Sequence, residues 1–237
     1  MKFETPLLPG RLQRRYMRFL SDITLDTGDV IKAHCPNPGS MMGLKAPGSR
    51  VWVSESDNPK RKLKYTFELI EADDTMVGIN TGHPNALVHE AVTDGTITEL
   101  QGYATARREV KYGKNSRIDL LLEDPDKGRC YVEVKNVHLR REPELMEFPD
   151  SVTSRGAKHL GELADMVAEG HRAVMVFLVQ RDDGSRFRLA RDIDPAYGEA
   201  FDRAAAAGVE MLAYSCRVSA DEIRAYRSIP IDDLPSR

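Results

Sequence analysis

Cysteines are few in this chain, and they are far apart. Cys35, Cys130 and Cys216 are odd in number and show no paired spacing. Their number and spacing exclude a disulfide framework as the basis of the fold. The cysteines also lack the close pairs that are typical of a zinc site. We interpret the three residues as reduced thiols that are mostly buried.

Long apolar runs are also lacking. The longest wholly apolar run, 173–179, is far shorter than the roughly 18 to 20 residues that cross a bilayer. An acid and a proline interrupt the first six residues, which therefore do not resemble a secretory signal peptide. We expect a soluble protein of the cytoplasm with no membrane partner.

No charge of one sign dominates the composition. The 237 residues carry 34 Lys and Arg against 37 Asp and Glu, for a net charge of −3. A surface for a polyanion such as nucleic acid must therefore be local.

Two local basic clusters are present. The first holds arginines among Tyr16 and Phe19, and aromatic rings can stack on bases while guanidinium groups hold phosphates. The second is a run of lysines and an arginine at 60–64. Solvated loops are the alternative interpretation of both clusters. The residues predicted to bind nucleic acid are Arg15, Arg18, Lys60, Arg61 and Lys62.

The first third of the chain has the pattern of a β domain. Five short stretches of strand character are separated by turns rich in Gly and Pro, at 23–25, 30–31, 50–53, 65–70 and 76–79. Such spacing is typical of a small closed or sandwiched sheet. We predict an OB-like β-barrel for a first domain, residues 1–82.

From residue 83 onward, helices and strands alternate. Pro84 suits the first position of a helix that carries Glu90, and Leu160, Leu163 and Val167 have helical spacing. Strands at 106–112, 116–122 and 129–137 would form an antiparallel meander, and 172–180, 195–207 and 209–214 a βαβ unit. We predict an α/β second domain, residues 83–237, and a short terminal helix after Ser219.

An acid on each of two predicted strands stands out on the meander. Side chains alternate along a strand, so Glu133 and Lys135 share the face opposite Val132 and Val134. Asp119 likewise lies opposite the face formed by the apolar residues at 118, 120 and 122. A hairpin centred on residue 126 pairs residues whose numbers sum to 252, which places Asp119 directly opposite Glu133.

Two facing carboxylates repel each other unless a positive charge lies between them. Mg²⁺ or Mn²⁺ is commonly held by one or two carboxylates together with water and substrate phosphate. Lys135 could orient water or neutralise charge on a phosphoryl group. We therefore predict Asp119, Glu133 and Lys135 as the catalytic set of a metal-dependent phosphodiesterase. Solvated charges on a half-exposed sheet are the alternative.

Several segments resemble the sugar fermentation stimulation protein A (SfsA) family. The resemblance extends from about Pro9 to Tyr226 and departs from the family pattern at Pro38 and Ser40, where the family more often has Thr and Arg. The segments that carry it are Ala33-His34-Cys35-Pro36-Asn37, Ser56-Asp57-Asn58-Pro59-Lys60-Arg61-Lys62, Val77-Gly78-Ile79-Asn80-Thr81-Gly82, Asn115-Ser116-Arg117-Ile118-Asp119, Cys130-Tyr131-Val132-Glu133-Val134-Lys135-Asn136-Val137 and Gly170-His171-Arg172-Ala173-Val174.

This resemblance implies a two-domain α+β / α/β protein with an N-terminal OB-like barrel and a C-terminal domain like the PD-(D/E)XK nucleases. It implies that Asp119, Glu133 and Lys135 match the nuclease motif and that Glu90 matches the acid on the preceding helix. Gln180, at the end of the next core strand, would be an accessory residue near substrate or metal-bound water. Arg155, Lys158 and His159 could approach a phosphate backbone, but we interpret them as a solvent-facing helix turn.

The leading hypothesis is a DNA-binding protein of the sugar fermentation stimulation type with a divalent-metal-dependent nuclease site. Its metal ligands would be Asp119, Glu133 and Glu90, and the cofactor Mg²⁺ or Mn²⁺. One alternative is a non-catalytic DNA-binding regulator of sugar (maltose) metabolism genes. Another is an RNA-binding or RNA-processing protein. The sequence leaves the strandedness of the nucleic acid and the oligomeric state open.

Overall fold

The structure is a computed structural model of the chain, and it describes residues 1–113 and 116–234. Within these ranges, a barrel-like sheet and a mixed sheet, each of six strands, dominate the architecture, with three α-helices packed on the mixed sheet. Lys114 and Asn115, which belong to a predicted turn and to one of the family-like segments, lie outside the described residues.

The N-terminal sheet closes into a barrel. Strand β3 pairs with β2 on one side and, in parallel, with β5 on the other, which closes the order β3-β2-β1-β4-β5, while β6 extends it. Leu12, Ile23, Val51, Phe67 and Ile70 fill its core. The predicted OB-like barrel is confirmed. Its strands are β1 (Leu8–Tyr16), β2 (Leu20–Leu25), β3 (Val30–His34), β4 (Arg50–Glu55), β5 (Tyr65–Ala72) and β6 (Thr75–Gly78).

The remaining strands belong to the second domain. They are β7 (Thr105–Tyr112), β8 (Ser116–Asp124), β9 (Gly128–Val137), β10 (Leu139–Glu142), β11 (Leu145–Phe148), β12 (Arg172–Val179), β13 (Arg186–Leu189), β14 (Glu210–Val218) and β15 (Ile223–Ser228). Six of them form a mixed sheet in the order β15-β14-β12-β9-β8-β7, and β10, β11 and β13 form a small one. Strands β7, β8 and β9 are the predicted antiparallel meander, and β9, β12 and β14 are parallel.

Helices cover both faces of the mixed sheet. They are α1 (Pro84–Thr93), α2 (Ser154–Ala168) and α3 (Pro195–Ala206). Leu87 and Val88 of α1 pack on one face, and Leu160 of α2 and Phe201 of α3 pack on the other. Because both faces are buried, the central strand β12 is apolar from 173 to 179. The α/β character predicted for the second domain is confirmed.

A strand replaces the helix predicted near the C-terminal end. The Ser219 amide donates to the Glu222 carbonyl (2.9 Å), which closes a turn rather than starting a helix. Ile223 and Ala225 then alternate into the core as part of β15. The prediction of a terminal helix is wrong because the apolar residues repeat every second position, the period of a strand.

The first junction between the two domains is buried and polar. The Gly78 amide donates to the Gln180 carbonyl (2.8 Å), and the Gln180 side-chain amide donates to the Asn80 carbonyl and to Asn136 Oδ1. Gln180 is completely buried. A second link joins the start of the chain to the C-terminal domain, where the Phe3 amide donates to the Asp221 carbonyl (3.0 Å).

A further junction is a docked loop, residues 37–41 of the barrel. The Ser40 hydroxyl donates to the Asp150 carbonyl (2.7 Å), and the Met41 amide donates to Asp150 Oδ2 (2.9 Å). Burial alone raises the pKa of Asp150, but the neighbouring His138 and the Met41 amide outweigh it and hold that pKa at about 2. The loop that departs from the family pattern at Pro38 and Ser40 therefore fastens one domain to the other.

Residues 1–113 and 116–234 contain no helix with the length and apolar character that a bilayer crossing demands.

The close approach at Gly78 yields a stability prediction. A Cβ added there would lie 2.5 Å from Gln180 Oε1 and 3.0 Å from its Cδ, and Gln180 is held by its own hydrogen bonds. We expect Gly78→Ala to lower the free energy of unfolding by about 1–3 kcal/mol, measured by urea denaturation.

Gly161→Ala in α2 is the matched control, because no atom lies within 4 Å of the added Cβ. It should leave stability unchanged or raise it by up to about 1 kcal/mol. Equal stability of the two variants would contradict the tight packing at this junction.

Candidate functional site

A cleft of about 510 Å³ lies between the barrel and the mixed sheet. The barrel contributes Arg18 and the loop at 37–39 to its wall. The second domain contributes polar residues from α1, β8, β9 and the start of α2, namely Asn85, Asp119, Glu133, Lys135, Arg155 and His159. The structure thus brings the three predicted catalytic residues into one cleft.

Strands β8 and β9, which carry the two acids, separate at Asp119. Their register, from Leu120–Val132 to Asp124–Gly128, is the predicted one, in which residue numbers sum to 252. Just beyond Leu120, the Val134 amide of β9 donates its hydrogen bond to the Asp119 side chain, at Oδ2 (2.8 Å). The carboxylate of Asp119 is thereby fixed against β9.

The predicted side-chain alternation fails at one position of β8. Leu120 and Leu122 pack towards α1 as expected, but Ile118 packs with Leu121 on the opposite side, towards α2. Glu109 of β7, which lies opposite Asp119, has a left-handed backbone with a φ of 56°. The pairing of β8 with β9 ends at Leu120, next to this position.

Glu133 is a buried carboxylate, only 2% exposed. Its Oε1 accepts a hydrogen bond from Lys135 Nζ (2.7 Å) and also contacts His159 Nδ1. Burial raises the pKa of Glu133, but the His159 hydrogen bond and the Lys135 charge outweigh it, so the pKa lies below its usual range. Its Oε2 is buried and has no hydrogen-bond partner among the described residues.

Asp119 shows the opposite shift. Its Oδ1 accepts from Asn85 Nδ2 (2.7 Å), and this bond and the Val134 amide favour the charged form. Burial and then the nearby charge of Glu133 outweigh them and raise the pKa of Asp119 to about 6. The charge of Lys135 therefore does not fully offset the burial of Asp119 and its repulsion by Glu133.

These residues fit a hard divalent cation. The available donors are carboxylate oxygens, and the unpartnered Glu133 Oε2 is a buried polar atom that such an ion would satisfy. In the described parts of the chain, no three His, Cys, Asp or Glu side chains are arranged to hold an ion by themselves. An ion at Asp119 and Glu133 would therefore complete its shell with water or substrate oxygens, as Mg²⁺ commonly does.

The structure does not bring Glu90 to the cleft, contrary to the expected ligand set. Its carboxylate is exposed and lies 2.8 Å from the N-terminal ammonium of Met1. Asn85 is the α1 residue that contacts Asp119. The two lie five residues apart on a helix with about 3.6 residues per turn, so Glu90 lies roughly 140° around the axis from Asn85.

Gln180 does not line the cleft. It lies in the domain junction and donates a hydrogen bond to Oδ1 of Asn136 (2.6 Å), which is a residue of the cleft wall. Its position supports a structural role in place of the expected contact with substrate or metal-bound water.

The predicted basic residues are divided between separate places. Arg18 lines the cleft, and Arg15 supports it by donating to the carbonyls of Arg18, Asn37 and Gly39. The others lie on the loop between β4 and β5, where Arg61 donates to Thr66 Oγ1. None of these three residues, Lys60, Arg61 and Lys62, lines the cleft.

Three residues of the site were not predicted as part of it. Asn85 carries no sequence signal. Arg155 is exposed and lines the cleft, whereas His159 is buried against Glu133, so the interpretation of this turn as solvent-facing is wrong for His159. The available signal was that His159 lies four residues before Leu163 and seven before Met166, which places it on the apolar face of α2.

The protein is of the class in which an OB barrel is joined to a mixed α/β domain. An acidic pair and a lysine lie in the cleft between the barrel and that domain. Two family descriptions match the chain: "SfsA N-terminal OB domain" over residues 14–79 and "Sugar fermentation stimulation protein RE domain" over residues 82–222. The chain belongs to the SfsA family.

Curated relatives and a solved structure agree with this assignment. The "Sugar fermentation stimulation protein homolog" proteins of Brucella ovis and Brucella melitensis are each 58% identical over 234 residues, covering 99% of this chain and 98% of theirs. The structure of Pyrococcus furiosus SfsA in complex with Ca²⁺ is 26% identical, with a TM-score of 0.88 over 98% of each chain.

The raised pKa of Asp119 predicts a pH-dependent stability difference. Its ionised form is less favourable in the folded protein, so this destabilisation is absent below about pH 4 and complete above about pH 6. In metal-free buffer, the unfolding free energy of Asp119→Asn relative to wild type should rise by about 1–3 kcal/mol between pH 4 and 7.5.

Urea denaturation across that pH range measures the difference. Asp165→Asn removes the same charge from an exposed position on α2 and is the control. A difference between Asp119→Asn and wild type that stays constant with pH would contradict the unfavourable pairing of Asp119 with Glu133.

Proposed function

We propose that this protein binds nucleic acid in the cleft and hydrolyses its phosphodiester bonds with Mg²⁺ or Mn²⁺ held at Asp119 and Glu133. The observation that carries the proposal is the pair of half-buried Asp119 and buried Glu133, in which Glu133 Oε2 has no hydrogen-bond partner within the part of the chain that the structure describes. Lys135 lies beside this pair. The Ca²⁺ bound by the Pyrococcus furiosus relative supports a cation in this family.

A bound divalent cation would supply Lewis acidity and positive charge to a phosphodiester. The chain itself supplies the Lys135 ammonium, whose Nζ lies 2.7 Å from Glu133 Oε1 and 3.3 Å from His159 Nδ1. An ammonium has three donors, and Lys135 lines the cleft, so it can hold a phosphoryl oxygen and stabilise charge that develops there.

His159 orients this arrangement. Its Nδ1 contacts Glu133 Oε1, and its Nε2 accepts from Arg155 Nε (3.3 Å). Because Glu133 Oε1 is engaged by both Lys135 and His159, Oε2 is the oxygen left for an ion. His159 is therefore a positioning residue.

The walls of the cleft suit a nucleic-acid strand. Arg18 from the barrel and Arg155 from α2 are exposed cations on its two sides. Met17, Phe19 and Val152 beside them are 67%, 50% and 74% exposed, unusual exposure for apolar side chains. Guanidinium groups can hold phosphates while aromatic and apolar side chains contact bases. We propose DNA as the nucleic acid, in line with the usual description of the family.

The first test is metal-dependent cleavage of labelled single-stranded and duplex DNA and RNA. Asp119→Ala and Lys135→Ala should each reduce the Mn²⁺-dependent rate by about 100-fold or more, because each removes charge from the reacting centre. Glu90→Gln should keep the wild-type rate, since Glu90 lies outside the cleft.

Three results would redirect the proposal. Cleavage that survives Asp119→Ala would place the chemistry elsewhere. No cleavage together with retained, salt-sensitive DNA binding would favour the non-catalytic DNA-binding regulator. Preference for RNA in the same assay would favour the RNA-processing alternative.

The second test is the salt dependence of binding. Each phosphate contact releases counterions, so Arg18→Gln and Arg155→Gln should each weaken binding and reduce the slope of log affinity against log salt by about 1. Arg203→Gln, an exposed arginine of α3 that does not line the cleft, is the control and should leave the slope unchanged. A slope that neither cleft variant changes would contradict binding in the cleft.

A further inference from the structure

Glu68 is a buried acid of the barrel that the proposed function does not use. It lies on β5 and is 5% exposed. Its Oε1 accepts from Ser54 Oγ (2.6 Å), and its Oε2 accepts from Asn80 Nδ2 (2.7 Å) and from His83 Nε2 (2.8 Å). Burial raises the pKa of Glu68, but these hydrogen bonds, that of His83 first, outweigh it and hold the pKa below its usual range. The carboxylate is therefore ionised at neutral pH and acts only as an acceptor.

Two of the three donors are the ends of the connector between the barrel and α1, residues 80–83. Asn80 follows the end of β6 by two residues, and His83 directly precedes Pro84, the first residue of the helix. Within the connector, the Asn80 side chain also accepts from the Gly82 amide (2.9 Å). One carboxylate of the barrel thus fastens both ends of the connector.

His83 occupies the N-cap position of α1 without capping the helix. Residues favoured at this position carry a side-chain oxygen that accepts from the first free amides, a contact that contributes typically about 1 kcal/mol. The His83 side chain makes no such hydrogen bond, and its ring contacts Glu68 and the edge of Phe3 instead. This side chain therefore stabilises the position of the helix on the barrel and leaves the helix end uncapped.

Asn85 transmits that position to the cleft. It is the second residue of α1, two positions after His83, and it donates to Asp119 Oδ1 (2.7 Å). The His83 carbonyl accepts the amides of Ala86 and Leu87 (3.0 Å each), so His83 and the first helical turn move together. A displacement of about 1 Å that begins far from a reacting centre can cost about 100-fold in rate.

We propose that Glu68 is a positioning residue for the cleft. It holds His83, which sets the start of α1, and the helix then presents Asn85 to Asp119. The barrel is thereby part of the scaffold of the acidic pair. The contacts require a glutamate, because aspartate is one methylene shorter and glutamine replaces one acceptor oxygen by an NH₂ group. The inference rests on the proposed metal site for one of its two readouts, the affinity for Mn²⁺.

NMR of the full chain, without metal or nucleic acid, is the first readout. In a chain with isotope-labelled asparagine, the side-chain signal of Asn85 is the one that Asn85→Ala removes. Glu68→Gln is nearly isosteric, but its NH₂ group cannot accept, so at least one donor loses its hydrogen bond. We expect the Asn85 signal to shift towards its position in the unfolded chain. His83→Ala should shift it likewise, and because His83 is half-buried, this variant carries the test if Glu68→Gln does not fold.

The second readout is the affinity for Mn²⁺ in a double-mutant cycle. Glu68→Gln and Asn85→Ala should each weaken Mn²⁺ binding by about 10-fold, as the loss of residues that orient metal ligands commonly does. Because Glu68 acts through Asn85, the double variant should lose about 10-fold, whereas independent effects would multiply to about 100-fold.

Ser54→Ala is the matched control. It also removes one hydrogen bond from Glu68, but it leaves those of Asn80 and His83 in place. The Asn85 signal and the affinity for Mn²⁺ should therefore be those of the wild type. Thermal melting confirms that each variant is folded.

An Asn85 signal that neither Glu68→Gln nor His83→Ala moves would overturn the inference. Losses of Mn²⁺ affinity that multiply in the double variant, or an equal loss in Ser54→Ala, would overturn it as well. Unchanged Mn²⁺ binding in Asp119→Asn would instead refute the proposed metal site, and the Asn85 signal would then decide the inference by itself.

Discussion

The charge of Glu133 inside the protein is the constraint on which the site depends. A buried carboxylate is costly unless it is paired and hydrogen-bonded. Lys135 provides one partner from the same strand, and His159 provides the other from α2. The position of α2 is therefore fixed twice, by the apolar contacts of Leu160 and Leu163 and by the polar contact that His159 makes at the helix start.

The pairing of β8 with β9 ends at Leu120, and the Asp119 carboxylate lies just beyond that end. In a regular sheet, the groups around Asp119 would be bonded to neighbouring strands, and no side chain would occupy their place. Here the Asp119 carboxylate receives the Val134 amide, and Glu109 across the sheet has a left-handed backbone.

Local patterns predicted much of the fold. The alternation and turn residues of the meander gave the register that the structure has from Leu120–Val132 onward. Strand β1 was missed because only Gly10 and Leu12 of its nine residues are buried, and its exposed arginines have the pattern of a charged loop. The terminal strand β15 was missed because the Ser219 and Glu222 spacing also occurs at helix starts.

The composition of the site was less predictable, because it depends on contacts between distant elements. Nothing local indicates that α1 turns Asn85 towards Asp119 and Glu90 away from it, since the rotation of a helix on a sheet is set by packing. His159 has an acidic partner 26 residues earlier in the chain, which spacing alone cannot reveal.

The docked loop at 37–41 has a thermodynamic consequence for any ligand of the cleft. Its anchor, Asp150, belongs to the second domain, and the same loop forms part of the cleft wall. A ligand that contacts both Arg18 and Arg155 adds its binding free energy to the docking of the two domains. By reciprocity, the docking contacts then contribute to ligand affinity by the same amount. Ser40 and Asp150 are therefore coupled energetically to occupancy of the cleft through the relative position of its two walls.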